Sequence, residues 1–162
     1  MLKLRRFHSQ SGMTLIELVI AMAILAILAA VVLPLAEVTV TRTKELELRR
    51  ALRDVRTAID EYRADYGQAV AEKKIIVTVG ETGYPETLEV LVEGNDWGGL
   101  YPYKKKYLRR IPKDPFDRNE YGWGLRSYAD DADSTVCGGD DVYDIYSQSD
   151  EVALDGSYYR DW

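Results

Sequence analysis

Histidine is almost missing from this 162-residue chain. Its single copy, His8, lies within the first twelve residues. Downstream of it, a His-containing nucleophilic triad and a His-ligated metal are both excluded. Cysteine also occurs once, as Cys137, so there is no internal disulfide and no Cys-x-x-Cys-His haem site. Its setting, Thr135-Val136-Cys137-Gly138-Gly139, reads as a loop in which a half-buried structural thiol is expected. No catalytic constellation emerges from the remaining residues, and the chain is read as a non-enzyme. Acids are absent from the first twelve residues, while bases are scarce at the other end. Residues 120–162 hold eleven acids against only Arg126 and Arg160. That distribution argues against nucleic-acid binding, which needs a basic face.

One further absence organises the chain. From Leu18 through Leu35 there is no charged residue, only Leu, Ile, Val, Ala, Met and Pro34. About 20 apolar residues span a bilayer as a helix, and the run reaches that length if Met13–Ile16 join it. Glu17 is then a carboxylate inside an apolar segment. Such a group costs about 2.5–3.5 kcal/mol on insertion scales and calls for a partner. The residues ahead of it, Met1–Gly12, carry Lys3, Arg5 and Arg6 and end in Ser9-Gln10-Ser11-Gly12. Basic residues before an apolar span stay cytoplasmic and send the C-terminal side across. A secretory signal is cut after its apolar region. Here the small residue that marks a cut, Gly12, stands before the span. Cleavage there would leave the apolar helix on the mature protein and create an α-amino group on Met13 to balance Glu17. It would also leave 18 Lys+Arg against 27 Asp+Glu, a net charge of −9.

Gly12-Met13-Thr14-Leu15-Ile16-Glu17-Leu18 resembles the processing motif of type IV pilins and type II secretion pseudopilins. The resemblance implies removal of the leader after Gly12 by prepilin peptidase, N-methylation of Met13, and a role for Glu17 in assembly. Met13 stands where phenylalanine is commoner in that family. Pro34 also matches a proline of the family's long helix.

Beyond Pro34 the pattern becomes amphipathic. Leu48, Leu52, Val55, Ile59, Tyr62 and Tyr66 recur at steps of four and three, which is one face of a helix. Charged residues such as Arg49, Arg53, Arg56 and Arg63 fill the other positions. A helix is therefore predicted from Met13 to Tyr66, with Gly67 as its C-terminal cap and a kink or local melting at Pro34. Lys73–Gly80 suits a strand or packed loop. Tyr84–Val92 reads as a short helix with Pro85 near its start and Gly94 at its end. Lys104-Lys105-Lys106 reads as a solvated run. Tyr121–Tyr128 and Val142–Ser147 read as strands, and Ile111-Pro112-Lys113-Asp114-Pro115-Phe116 as a rigid turn. Tyr84-Pro85, Tyr107-Leu108 and this Pro-rich stretch resemble the major pseudopilin, the G subunit of type II secretion. Residues 68–83 and 130–141 look like insertions relative to a compact member of that family.

In the G-subunit family a strand ending in Asp-x-Tyr-Ser leads into a calcium-binding acidic loop. Asp144-Ile145-Tyr146-Ser147 matches that strand, and the resemblance implies calcium, with Asp150 and Asp155 as preferred ligands and Asp161 as a third. Calcium takes six to eight oxygen ligands, carboxylates and carbonyls together. Gly156 permits a tight turn between them. Asp144 and Glu151 are alternate ligands, and the spacing of this loop differs from the family's own.

The expected architecture is α+β, a long N-terminal helix with a small antiparallel-sheet head. Its parts are a cleaved leader (1–12), a transmembrane and assembly half-helix (13–35), an amphipathic half-helix (36–67) and a periplasmic head (68–162). The expected function is structural. Copies anchored once in the bacterial inner membrane, with the head in the periplasm, would associate into a helical pseudopilus for protein export. Minor pseudopilins, prepilin peptidase and an inner-membrane assembly platform would be the partners. The alternative is a type IV pilin forming an extracellular fibre for adhesion, motility or electron transfer. Twelve Tyr and three Trp suggest the last of these, although packing is the default role of aromatic residues in a head.

Overall fold

A computed structural model describes residues 12–78 and 80–162, with main chain alone for Val31, Leu33 and Pro34. The chain divides into two compact units, 1–40 and 41–162. One element belongs to both: helix α1, Leu15–Ala71.

In the first unit α1 carries no polar side chain from Leu18 to Leu35, and every described side chain from Leu15 to Val40 is exposed. The helix is unbroken at position 34, so the expected melting at Pro34 does not occur. In the second unit the stripe Leu48, Leu52, Val55, Ile59, Tyr62, Tyr66 is buried along its whole length, with none above 9% exposure. The predicted spacing is therefore the face that carries the core.

The helix does not stop at Gly67. The stripe continues through Ala69, which is fully buried, and Val70, which packs on the core, so burial carries the helix past a residue with weak helical preference. It ends in a Schellman motif instead. Lys73 takes a left-handed φ of 58°. The Lys74 N–H donates to Ala69 O at 2.8 Å, and the Lys73 N–H to Val70 O at 3.0 Å. Residues 74–78 then run without a strand, with Ile75 packed on the core and Ile76 exposed.

Helix α2 is short, Leu88–Glu93, with Thr87 at its N-cap and Gly94 (φ 81°) closing it. It seats Leu88 and Leu91 in the core. The sheet is an antiparallel pair, β1 (Trp123–Arg126) and β2 (Asp144–Ser147), in the register Trp123↔Ser147 to Arg126↔Asp144. Gly124 lies opposite Tyr146, and a Cβ there would stand 2.2 Å from the Tyr146 ring. The Pro-rich turn is tied to this sheet by Asp114. Its carboxylate accepts from the Phe116 N–H at 2.8 Å and from the Ser147 hydroxyl at 2.5 Å. The α+β class is as expected.

The run Lys104-Lys105-Lys106 is not uniformly solvated. Lys104 and Lys106 are exposed, but Lys105 Nζ lies 2.7 Å from the buried carboxylate of Asp65. Asp65 also accepts from Tyr107 Oη at 2.6 Å and Tyr101 Oη at 2.9 Å, and Trp97 Nε1 donates to Tyr107 Oη at 2.7 Å. Burial opposes ionisation of Asp65, but its bonds to Lys105, Tyr107 and Tyr101 outweigh it and hold the carboxyl below its ordinary range.

Candidate functional site: the N-terminal segment and the acidic loop

Residues 1–11 of the expected leader (1–12) lie outside the described residues. The proposed cut site is described. Gly12, Met13 and Thr14 precede the helix, all three exposed, so the Gly12–Met13 bond lies in non-helical chain. Thr14 caps the helix. Its carbonyl accepts from the Leu18 N–H at 3.1 Å, and its Oγ1 from the Glu17 N–H at 3.3 Å. Thr14-Leu15-Ile16-Glu17 is the pattern of a capping box, Thr at N-cap and Glu three residues on. Glu17 therefore has a local role besides its need for a positive partner. It is the acid of the first turn, where the helix dipole favours a negative charge. The signal was present as Thr-x-x-Glu ahead of the apolar run.

Beyond this first turn, α1 is long and apolar enough to cross a membrane, and none of its most apolar stretch is buried within the chain. A helix apolar on all sides needs a partner that is not water: lipid, or other apolar helices.

The acidic loop is held differently from the expectation. Asp150 lies 3.5 Å from Arg160, and Asp161 lies 3.9 Å from the same guanidinium. Asp155 accepts from the Ser157 hydroxyl (2.6 Å) and N–H (3.0 Å), and meets Arg49 at 3.5 Å. The Ser157 hydroxyl comes first, then its N–H and the Arg49 charge, in lowering the Asp155 pKa. Of the alternates, Asp144 is gripped by Arg56 at 2.6 Å, with Arg126 at 3.5 Å, and Glu151 faces Arg118 at 2.8 Å. Among the described residues, no three His, Cys, Asp or Glu side chains gather so as to hold a metal. Each carboxylate proposed for calcium faces an arginine. Gly156, with φ 89°, does make the tight turn, and Asp155 caps it.

Helix α1 clamps this loop. Glu45 accepts from the Leu154 N–H at 2.7 Å and Tyr159 Oη at 3.2 Å. The Arg49 guanidinium sits 4.0 Å above the Trp162 ring. Arg56 donates to the main-chain oxygens of Ile145 (3.1 Å) and Trp162 (2.9 Å). Steps of four and seven put Glu45, Arg49 and Arg56 on one flank of the helix. Nothing local in the sequence marks which charged positions of the helix will meet segments 89 to 114 residues away. Burial, then the Glu45 charge, push the Tyr159 hydroxyl up to about 12.

Cys137 is exposed rather than half-buried. Gly138 and Gly139 follow it in the loop. Its Sγ lies 3.7 Å from Gly139 O.

Residues 7–33 match the prokaryotic N-terminal methylation motif. No curated protein and no solved structure matches the chain. The matched segment contains Gly12, Met13 and Glu17 and most of the apolar run. The chain therefore carries a pilin-type prepilin signal, which indicates processing by a peptidase of that class and polymerisation into filaments.

Proposed function

We propose that this protein is the structural subunit of a type II secretion pseudopilus. Prepilin peptidase removes the leader after Gly12, and Met13 becomes the methylated N-terminus. The apolar half of α1 anchors the subunit in the bacterial inner membrane with its head in the periplasm. On an assembly platform, joined by minor pseudopilins, copies pass from lipid into a filament core. The observation that carries this reading is the methylation motif joined directly to a helix with no burial of its own. Such a helix can exchange lipid for like helices at little cost, because lipid tails are as apolar as its side chains. The Glu17 carboxylate, close to the new amine of its own or a neighbouring chain, is the polar element that sets the stagger.

The pseudopilus is preferred to an extracellular fibre because most major pilins of that type close the head with a C-terminal disulfide, and a single cysteine forbids one. Glu17→Ala separates insertion from assembly. That variant should enter the membrane and be processed, yet yield no filaments, as read by shearing and sedimentation. Normal filaments from it would defeat the proposal. Deletion of the gene decides between the two kinds of filament: loss of exported protein marks the pseudopilus, and loss of surface fibres alone marks the pilin.

A further inference from the structure

An α-helix leaves its first N–H groups without carbonyl partners, and in an apolar surrounding each of them must find one. At the start of α1 these donors belong to Leu15, Ile16 and Glu17. A helix that began at Gly12 would satisfy two of them with main chain alone. The four-residue step would take the Ile16 N–H to Gly12 O and the Glu17 N–H to Met13 O. The structure takes another course. The Glu17 N–H goes to Thr14 Oγ1 at 3.3 Å, and the Leu18 N–H to Thr14 O at 3.1 Å. Among the described residues no main-chain bond ends on Gly12 O or Met13 O.

Gly12 O is the carbonyl oxygen of the bond to be cut. Hydrolysis adds one water across Gly12–Met13 and leaves the Gly12 carboxylate and the Met13 amine. Attack at that carbon puts negative charge on Gly12 O, which a peptidase must meet with hydrogen-bond donors of its own. An oxygen already bonded to the Ile16 N–H inside a helical turn is closed to them. Glycine alone would not keep it open, because α1 runs straight through Gly67. The next capping type of side chain upstream is Ser11. A helix deprived of the Thr14 cap thus has a second start available, one that takes Gly12 and Met13 inside.

We infer that Thr14 is a positioning residue for the cleavage: its hydroxyl starts α1 just past the cut and keeps the Gly12–Met13 peptide open to the peptidase. The inference rests on the processing reading above and assigns a further residue to it. It also gives the motif a conformational meaning, since the peptidase then needs an extended bond next to a helix as well as a glycine.

Pulse-chase of the full-length chain, in cells that hold its peptidase, reads the conversion of precursor to mature mass. Thr14→Val keeps the branched shape and removes the acceptor. It should be cut at least about threefold more slowly than wild type, the scale of a lost cap, and so should Thr14→Ala. Thr14→Ser and Thr14→Asn keep a capping oxygen and should be cut at no less than about half the wild-type rate. A peptidase that reads threonine by its shape would instead favour Thr14→Val over Thr14→Asn. All four variants should enter the membrane as wild type does, as read by carbonate extraction. Main-chain ¹³C shifts of the precursor in detergent micelles give a second measurement. Gly12 and Met13 should have non-helical values in wild type and Thr14→Ser, and helical values in Thr14→Val. Equal cutting of Thr14→Val and wild type, rates that follow shape, or shifts unchanged in Thr14→Val would overturn the role of Thr14 and leave the processing site standing. A wild-type chain never cut after Gly12 would remove both.

Discussion

The two halves of α1 handle apolar residues in opposite ways. From Leu15 to Val40 the apolar side chains stand on every side of the helix and the chain covers none of those described. From Leu48 to Val70 they keep to one face, which the head buries. The same backbone, without a break between them, serves two environments. The second half finds its partner within its own sequence, in Leu88, Leu91, Trp97, Phe116, Ile145 and Tyr159. The first half has no such partner among the described residues; on the proposed function it is completed from outside, first by lipid and then by other copies. The difference teaches that hydrophobic content alone does not give a core. Periodicity decides whether a helix is an internal spine or a surface waiting for company.

That comparison can be broken most sharply at its upstream edge. Gly12→Leu should leave the protein at precursor mass, since it replaces the glycine that precedes the cut in the processing motif. Gel mobility and intact mass check this, and efficient cleavage of the variant would detach the motif from its proposed use.

Next, one substitution in each half should produce opposite failures. Ile24→Asp puts a charge in the apolar run at a cost of about 2.5–3.5 kcal/mol, roughly two orders of magnitude in membrane partitioning. It should leave the melting of the head unchanged. Ile59→Ala removes a side chain that is fully buried and should cost about 2–5 kcal/mol, lowering Tm while membrane association persists. Tm and membrane fractionation on both variants test the division. If either variant failed in both assays, the halves would not be independent.

A smaller effect sits within the head. Asp65→Asn discards the charge that meets Lys105 and should cost about 1–3 kcal/mol, less than a fully buried pair because Lys105 is partly exposed. The folded-state pKa of Asp65 is lowered. Its stabilisation is therefore complete above the unfolded value of about 3.9 and is lost as pH falls through the folded one. The wild type should lose stability on that acid limb, and Asp65→Asn should flatten it. Equal slopes in acid unfolding would refute this.

The smallest expected effect is that of calcium. With arginines already facing Asp150, Asp155 and Asp161, calcium or chelator should move Tm by no more than about 1 °C. A larger rise, abolished by Asp155→Ala, would establish the metal site that the loop's resemblance implied.

Much of this was legible in the residues. The buried stripe, both strands and the capping glycine of α2 obey local rules of period and turn chemistry. The processing motif was legible too, because its residues are contiguous. The end of α1 was not: Gly67 is a good stop signal, but Ala69 and Val70 gain more from burial than the glycine loses. Lys105 was misread as solvated, and the partners of Arg49 and Arg56 went unseen, for a related reason. Their partners, Asp65, Asp155 and Asp144, lie 40 to 106 positions away, and a charged side chain at a helix flank gives no local sign of whether solvent or a distant loop will meet it. The contact between residues 68–83 and 130–141, made by Thr82 and Asp141, was illegible for the same reason, since no short-range pattern connects those stretches.

The central claim is that the apolar half-helix becomes a mature N-terminus. Mass spectrometry and N-terminal sequencing of the protein extracted from membranes test it directly. The account predicts a chain that starts at Met13, lacks residues 1–12 and carries one extra methyl group on its α-amine. A chain that still begins at Met1, or one trimmed past Leu35 and recovered free of the membrane, would contradict it.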